Sequence, residues 1–88
     1  MEIGYMDLIE LKESCNNTDR DIISANIRRI VKSKRIKYSE IAEALSVNIQ
    51  TVYSYTKKSG YTVKPEPFTL LLLSTYLHVD VAEFFYNV

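Results

Sequence analysis

Residues 36–55 read I-K-Y-S-E-I-A-E-A-L-S-V-N-I-Q-T-V-Y-S-Y, and this stretch holds two short amphipathic patterns back to back. The first sets Ile41, Ala42 and Leu45 on one side at helical spacing. A break follows at Ser46 and Val47. Asn48 then opens the second pattern, since its side chain can accept from backbone N–H groups two or three residues on. That pattern sets Val52 and Tyr55 on one side and leaves Gln50 and Ser54 on the opposite one. Two helices joined this tightly must cross steeply, and the second can be held outward from the body.

The rest of the chain is compatible with one small helical domain. A length of 88 residues leaves little room for a second domain, and 47% apolar content is enough for a core without metal or disulfide. Two Gly and two Pro are too few for a sheet rich in tight turns. Cys15 stands alone, so it cannot form an internal disulfide or begin a metal constellation. It reads as a small filler near a helix end, in a reducing compartment. Glu2 and Asp7 occupy a start that a secretion signal would make basic, and the longest apolar run, 70–73, is far short of the ~20 residues that cross a bilayer. The expected location is cytoplasmic, with no membrane partner.

A net charge of zero argues at first against nucleic acid, but the distribution is polarised. Residues 1–19 hold five acidic side chains and one basic, Lys12; residues 20–64 hold ten basic and three acidic; residues 65–88 hold three acidic and none basic. Phosphates respond to the local field, because screening limits its reach to ~8–10 Å at physiological salt. The central block, with a balance of +7, coincides with the paired helices. Together they form the layout of a helix-turn-helix, whose second helix can enter a DNA major groove.

The flanking elements follow from period and punctuation. Residues 1–18 form an N-terminal extension in which Tyr5, Leu8, Ile9 and Leu11 fit a short helix or a dimerisation arm, broken at Asn16-Asn17. The domain proper spans 19–88. Thr18 or Asp19 caps a helix over about 19–34, with Asp21 placed for a capping box around Thr18 and with Ile23, Ile27, Ile30 and Val31 as its apolar stripe. Helices over about 38–45 and 48–57 follow. Gly60 and two X-Pro bonds make 57–67 a loop, and Pro67 opens a helix that ends near Leu77 with His78 at the turn. Asp80 caps a last helix through Phe84 and Phe85.

From 23 to 85, roughly seventy per cent of the 88 residues, the chain resembles the Cro and lambda-repressor-like domains, also called xenobiotic-response-element-type helix-turn-helix proteins. The resemblance rests on N-I-R-R-I (26–30), Y-S-E-I-A-E-A-L-S-V-N-I-Q-T-V-Y-S-Y (38–55) and P-x-P-x-T-L-L-L-L-S-x-Y-L-H-V-D-V-A-E-F-F (65–85). It implies an all-α, compact five-helix DNA-binding domain, dimeric binding and transcriptional control. It also implies roles: Ile49, Gln50 and Ser54 match base-contacting positions, Thr51 and Tyr53 match flanking positions that touch backbone, and Tyr38 sits where the family has a phosphate-binding Gln. The chain departs from the pattern at several points. Lys37 stands at the usual Ser, Thr or Asn cap, so Ser39 can shift the start of that helix. Ser46 stands at the usual Gly of the turn. Val31 and Thr56 stand where the family pairs an Arg with a Glu.

The residues themselves support parts of this assignment. Gln50 lies nearly opposite Val52 and can bind adenine N6 and N7 bidentately. Ile49 lies roughly 60° from Val52 on a helix of 3.6 residues per turn, which leaves it open to burial or to a thymine methyl. Tyr53 can reach a phosphate or pack on a sugar. The expected base-contacting set is Ile49, Gln50, Tyr53 and Ser54, and the expected phosphate-contacting set is Lys34, Arg35, Lys37, Tyr38, Ser39, Thr51, Lys57 and Lys58. The run 70–73 is apolar on every side, more than one helix on a small core needs. Either the N-terminal segment covers it or a second subunit does, through Leu72, Tyr76, Phe84, Phe85 and Tyr86.

Two classes of function are compatible with these residues. One is a sequence-specific DNA-binding regulator, acting as a homodimer on double-stranded DNA with a two-fold site. The other is a protein-interaction module on the same scaffold, an antitoxin or anti-repressor, favoured by zero net charge, Tyr38 and Ile49. One His, one Cys and no carboxylate cluster in the motif leave no nucleophile–base pair, so neither an enzyme nor a metal or other cofactor is expected.

Overall fold

Asp7 accepts a hydrogen bond from the Glu10 N–H at 2.8 Å, the N-cap contact that starts a helix. The computed structural model describes residues 7–57 and 62–86. In order these are α1 (Leu8–Asn17), α2 (Arg20–Lys34), α3 (Tyr38–Leu45), α4 (Ile49–Thr56), α5 (Pro67–Leu77) and a C-terminal 3-10 helix (Val81–Phe85). The fold is all-helical, with no strand among the described residues. Tyr5 and Gly60 lie outside them.

Several boundaries differ from expectation. Asn16 and Asn17 are the last two residues of α1, and the chain leaves the helix at Thr18. No capping box forms around Thr18: Asp19 is the N-cap of α2 and makes no side-chain cap bond. Lys37 does not displace the start of α3 to Ser39, because the Glu40 carboxylate reaches back and accepts from the Lys37 N–H at 3.0 Å. Residues 81–85 are a 3-10 turn, not an α-helix. The fifth α-helix therefore comes from the N-terminal extension.

Three helices end alike. Arg35, Ser46 and His78 follow α2, α3 and α5, each with φ near 56° in the left-handed region. Beyond each, an apolar residue donates to the carbonyl five residues back: Ile36 to Val31 at 3.2 Å, Val47 to Ala42 at 2.9 Å, and Val79 to Ser74 at 3.0 Å. These are Schellman closures, which glycine normally forms. Here the Cβ strain of about 1–2 kcal/mol per residue is offset by the closing bonds, and after α2 and α5 by the partial burial of Ile36 and Val79, while Val47 stays exposed.

The core joins all five helices and the 3-10 turn. Leu11 and Cys15 enter from α1, Ile23, Ile27, Ile30 and Val31 from α2, Ile41 and Ala42 from α3, Val52 from α4, Leu70, Leu73 and Leu77 from α5, and Val81 and Phe84 from the 3-10 turn. Each fully buried Ile, Leu or Phe contributes roughly 1.5–3 kcal/mol relative to exposure. The all-round apolar surface of α5 has a structural cause: α5 touches α1, α2, α3 and the 3-10 turn. The N-terminal segment covers part of it, while Phe68 and Leu72 remain 68% and 40% exposed. Cys15 is packed, as expected, with its Sγ 3.5 Å from the Pro65 carbonyl. Burial pushes its thiol above the usual range, while the Lys64 ammonium, which donates to the Cys15 carbonyl at 2.7 Å, pulls it down.

Phe84 was expected at a subunit interface. It is fully buried. Its segment is drawn inward by Asn26, whose Nδ2 donates to the Phe84 carbonyl at 2.9 Å and to the Tyr86 carbonyl at 2.8 Å. Phe85 and Tyr76 are half-buried, and Tyr86 is exposed.

Candidate nucleic-acid interface

Only three residues, Ser46, Val47 and Asn48, connect α3 to α4. The Ser46 turn and the Asn48 cap set the change of direction: Asn48 Oδ1 accepts from the Gln50 N–H at 2.8 Å. Val52 and Thr56 then face inward, Ile49 and Tyr55 pack at the edge of the core, and Gln50 and Tyr53 face solvent.

Both ends of α4 are held. At its start, the Asn48 cap closes the first turn; at its middle, Tyr53 meets Tyr38 of α3 edge to face, with ring centroids 5.5 Å apart and an interplanar angle of 80°. At its end, Arg28 of α2 donates to the Thr56 carbonyl at 3.2 Å and to the Lys57 carbonyl at 2.9 Å. Ser24 donates to the same Lys57 carbonyl at 3.2 Å and accepts from Arg28 at 2.8 Å; Thr62 adds a third donor at 3.3 Å. A guanidinium is well placed here, because the final carbonyls of a helix lack partners and carry partial negative charge. The Val63 N–H closes the following loop onto the Ser54 carbonyl at 2.9 Å.

The expected contact residues divide in this geometry. Gln50 is exposed and its side chain is uncommitted to the core. Tyr53 is 41% exposed. Ile49 is half-buried and packs against the core, so its apolar surface is partly used. Ser54 is half-buried and its hydroxyl donates to the Thr51 carbonyl at 2.6 Å, so its proton is committed to its own helix. Thr51 is half-buried. Lys34, Arg35, Lys37, Ser39 and Lys57 are exposed, and Tyr38 is half-buried against Tyr53. Lys58 lies outside the described residues.

Two residues that position elements of the fold, Arg28 at the end of α4 and Asn26 at residues 84–86, were given no individual role from sequence. Arg28 reads there as one more cation on the solvated side of its helix. Asn26 carried a usable signal: it lies between Ile23, Ile27 and Ile30 on the inward stripe, where a polar side chain must find buried partners. Val31 and Thr56 are both buried, and Arg28 supplies the hydrogen bonds from α2 to the end of α4. No family model matches this chain, and neither a curated protein nor a solved structure matches it.

Proposed function

We propose that this chain is a sequence-specific DNA-binding regulator of the Cro and lambda-repressor-like kind, acting as a homodimer on a two-fold site. The observation that carries the reading is α4 itself: a short helix held at its middle by Tyr38 and at its end by Arg28, with Gln50 and Tyr53 turned to solvent and with exposed cations Lys34, Arg35 and Lys37 at the α2–α3 turn and Lys57 at its own end. Phosphate contacts from those cations would supply most of the affinity and orient the helix, and Gln50 would read a base edge. Recognition helices of a dimer would then sit ~34 Å apart, one turn of DNA. Leu72, Tyr76, Phe85 and Tyr86 remain available to a subunit interface.

The second reading, a protein-interaction module such as an antitoxin or anti-repressor, draws support from how few side chains α4 offers. Ile49 is half spent on the core, and Ser54 bonds its own helix. Fluorescence anisotropy of the full chain against random duplex at low salt separates the two. Binding that falls steeply with salt, followed by enrichment of a two-fold sequence from a random pool, supports the regulator. No binding at low salt removes it.

A further inference from the structure

A groove of about 620 Å³ runs along α2 to the start of α3. Its apolar lining is Ala25, Val31, Ile36 and the Tyr38 ring, and its cationic rim is Arg28, Arg29 and Lys32. Arg28 is committed to the end of α4 and Arg29 bonds Asn26 Oδ1 at 3.3 Å, while Lys32 is exposed. An occupant must therefore be apolar along one line and acidic beside it.

The chain itself carries such a segment. At the start of α1, Leu8 and Ile9 are 73% and 72% exposed, which places neither in its own groove. Helical spacing puts Ile9 beside Glu13 on the face opposite Leu11 and Cys15, with Lys12 and Leu8 along one side of it and Glu10 on the other. Leu11 and Cys15 on the opposite side fix α1 to the core. Two large aliphatic side chains in solvent, next to carboxylates, match an apolar floor next to ammonium and guanidinium groups.

We propose that α1 of one copy lies in the α2–α3 groove of a second copy, with Ile9 and Leu8 on the floor and Glu10 and Glu13 against Arg29 and Lys32. The exchange is self-complementary, so a two-fold pair occupies both grooves and closes. It does not rest on α4 being a recognition helix, because it forms without DNA.

Sedimentation equilibrium of the full chain without DNA tests it. The wild-type chain self-associates, more weakly as salt rises. Ile9→Asp weakens association by about tenfold or more. Lys32→Glu and Glu13→Lys each weaken it, and the double variant regains most of what either loses. All three positions are exposed, and far-UV circular dichroism verifies the fold of each variant. A chain that stays monomeric overturns the proposal. So does association that Ile9→Asp leaves intact, or that the paired charge reversal fails to restore. Association broken by Leu72→Asp but untouched by the α1 changes assigns the dimer to α5 and also overturns it.

Discussion

Tyr38 and Tyr53 meet edge to face at 5.5 Å, joining the first turn of α3 to the middle of α4. The hydrogen-rich edge of one ring faces the electron-rich face of the other, a geometry worth about 0.5–1.5 kcal/mol beyond area burial. Because the two rings stand on different helices, their contact helps to fix the angle at which α4 leaves the body. A double-mutant cycle with Tyr38→Leu and Tyr53→Leu should give a coupling in that range by urea denaturation. A coupling indistinguishable from zero would assign the crossing angle to the Ser46 turn and the core alone.

Gln50 and Lys57 should behave differently on DNA under the proposed function. Gln50→Ala removes a base contact, so it should relax preference at one position by about 1–3 kcal/mol. Lys57→Ala should weaken all sequences alike and reduce the slope of log K against log salt by about 1. Anisotropy titrations over a range of salt would record both. If each variant altered thermal stability only, neither side chain would be a DNA contact.

Arg28→Met keeps the apolar stem and removes the donors that hold the Thr56 and Lys57 carbonyls. The expected loss is about 1.5–3 kcal/mol, the usual contribution of hydrogen bonds from a charged group. Hydrogen exchange should quicken in α4 more than in α5. Equal change in both helices would mean that Arg28 supports the whole core and not the end of α4.

Phe84 and Leu72 separate core from surface. Phe84→Ala should destabilise by about 3–5 kcal/mol, as for other large-to-small changes at fully buried aromatic sites. Leu72→Ala, at a position 40% exposed, should stay within about 1 kcal/mol in the isolated chain. Thermal denaturation at low protein concentration measures both without contribution from self-association.

Ser46→Gly should stabilise. The left-handed backbone at φ 56° strains a Cβ that glycine lacks, and glycine's extra freedom in the unfolded chain offsets part of the gain. A net gain of about 0.5–1 kcal/mol would raise Tm by a few degrees in a domain of this size. A lowered Tm would show that the Ser46 side chain makes a contribution that the closing bonds do not account for.

Much of the helical order was legible because it depends on local chemistry. Apolar spacing placed α3 at 38–45, Asn48 marked the start of α4, and Pro67 and His78 bounded α5; all are short-range effects of side chain on nearby backbone. The sequence likewise separated Gln50 from the inward stripe of its helix. Tertiary structure decided what depends on partners distant along the chain. Phe84 belongs to the core because Asn26, 58 residues away, holds its carbonyl. α4 is clamped because Arg28, 28 residues before Thr56, reaches the carbonyls that end the helix. The N-terminal extension shares the core because α5 offers it an apolar side. Period and propensity carry information over a few residues, whereas burial and the partners of long side chains are set only when remote segments meet.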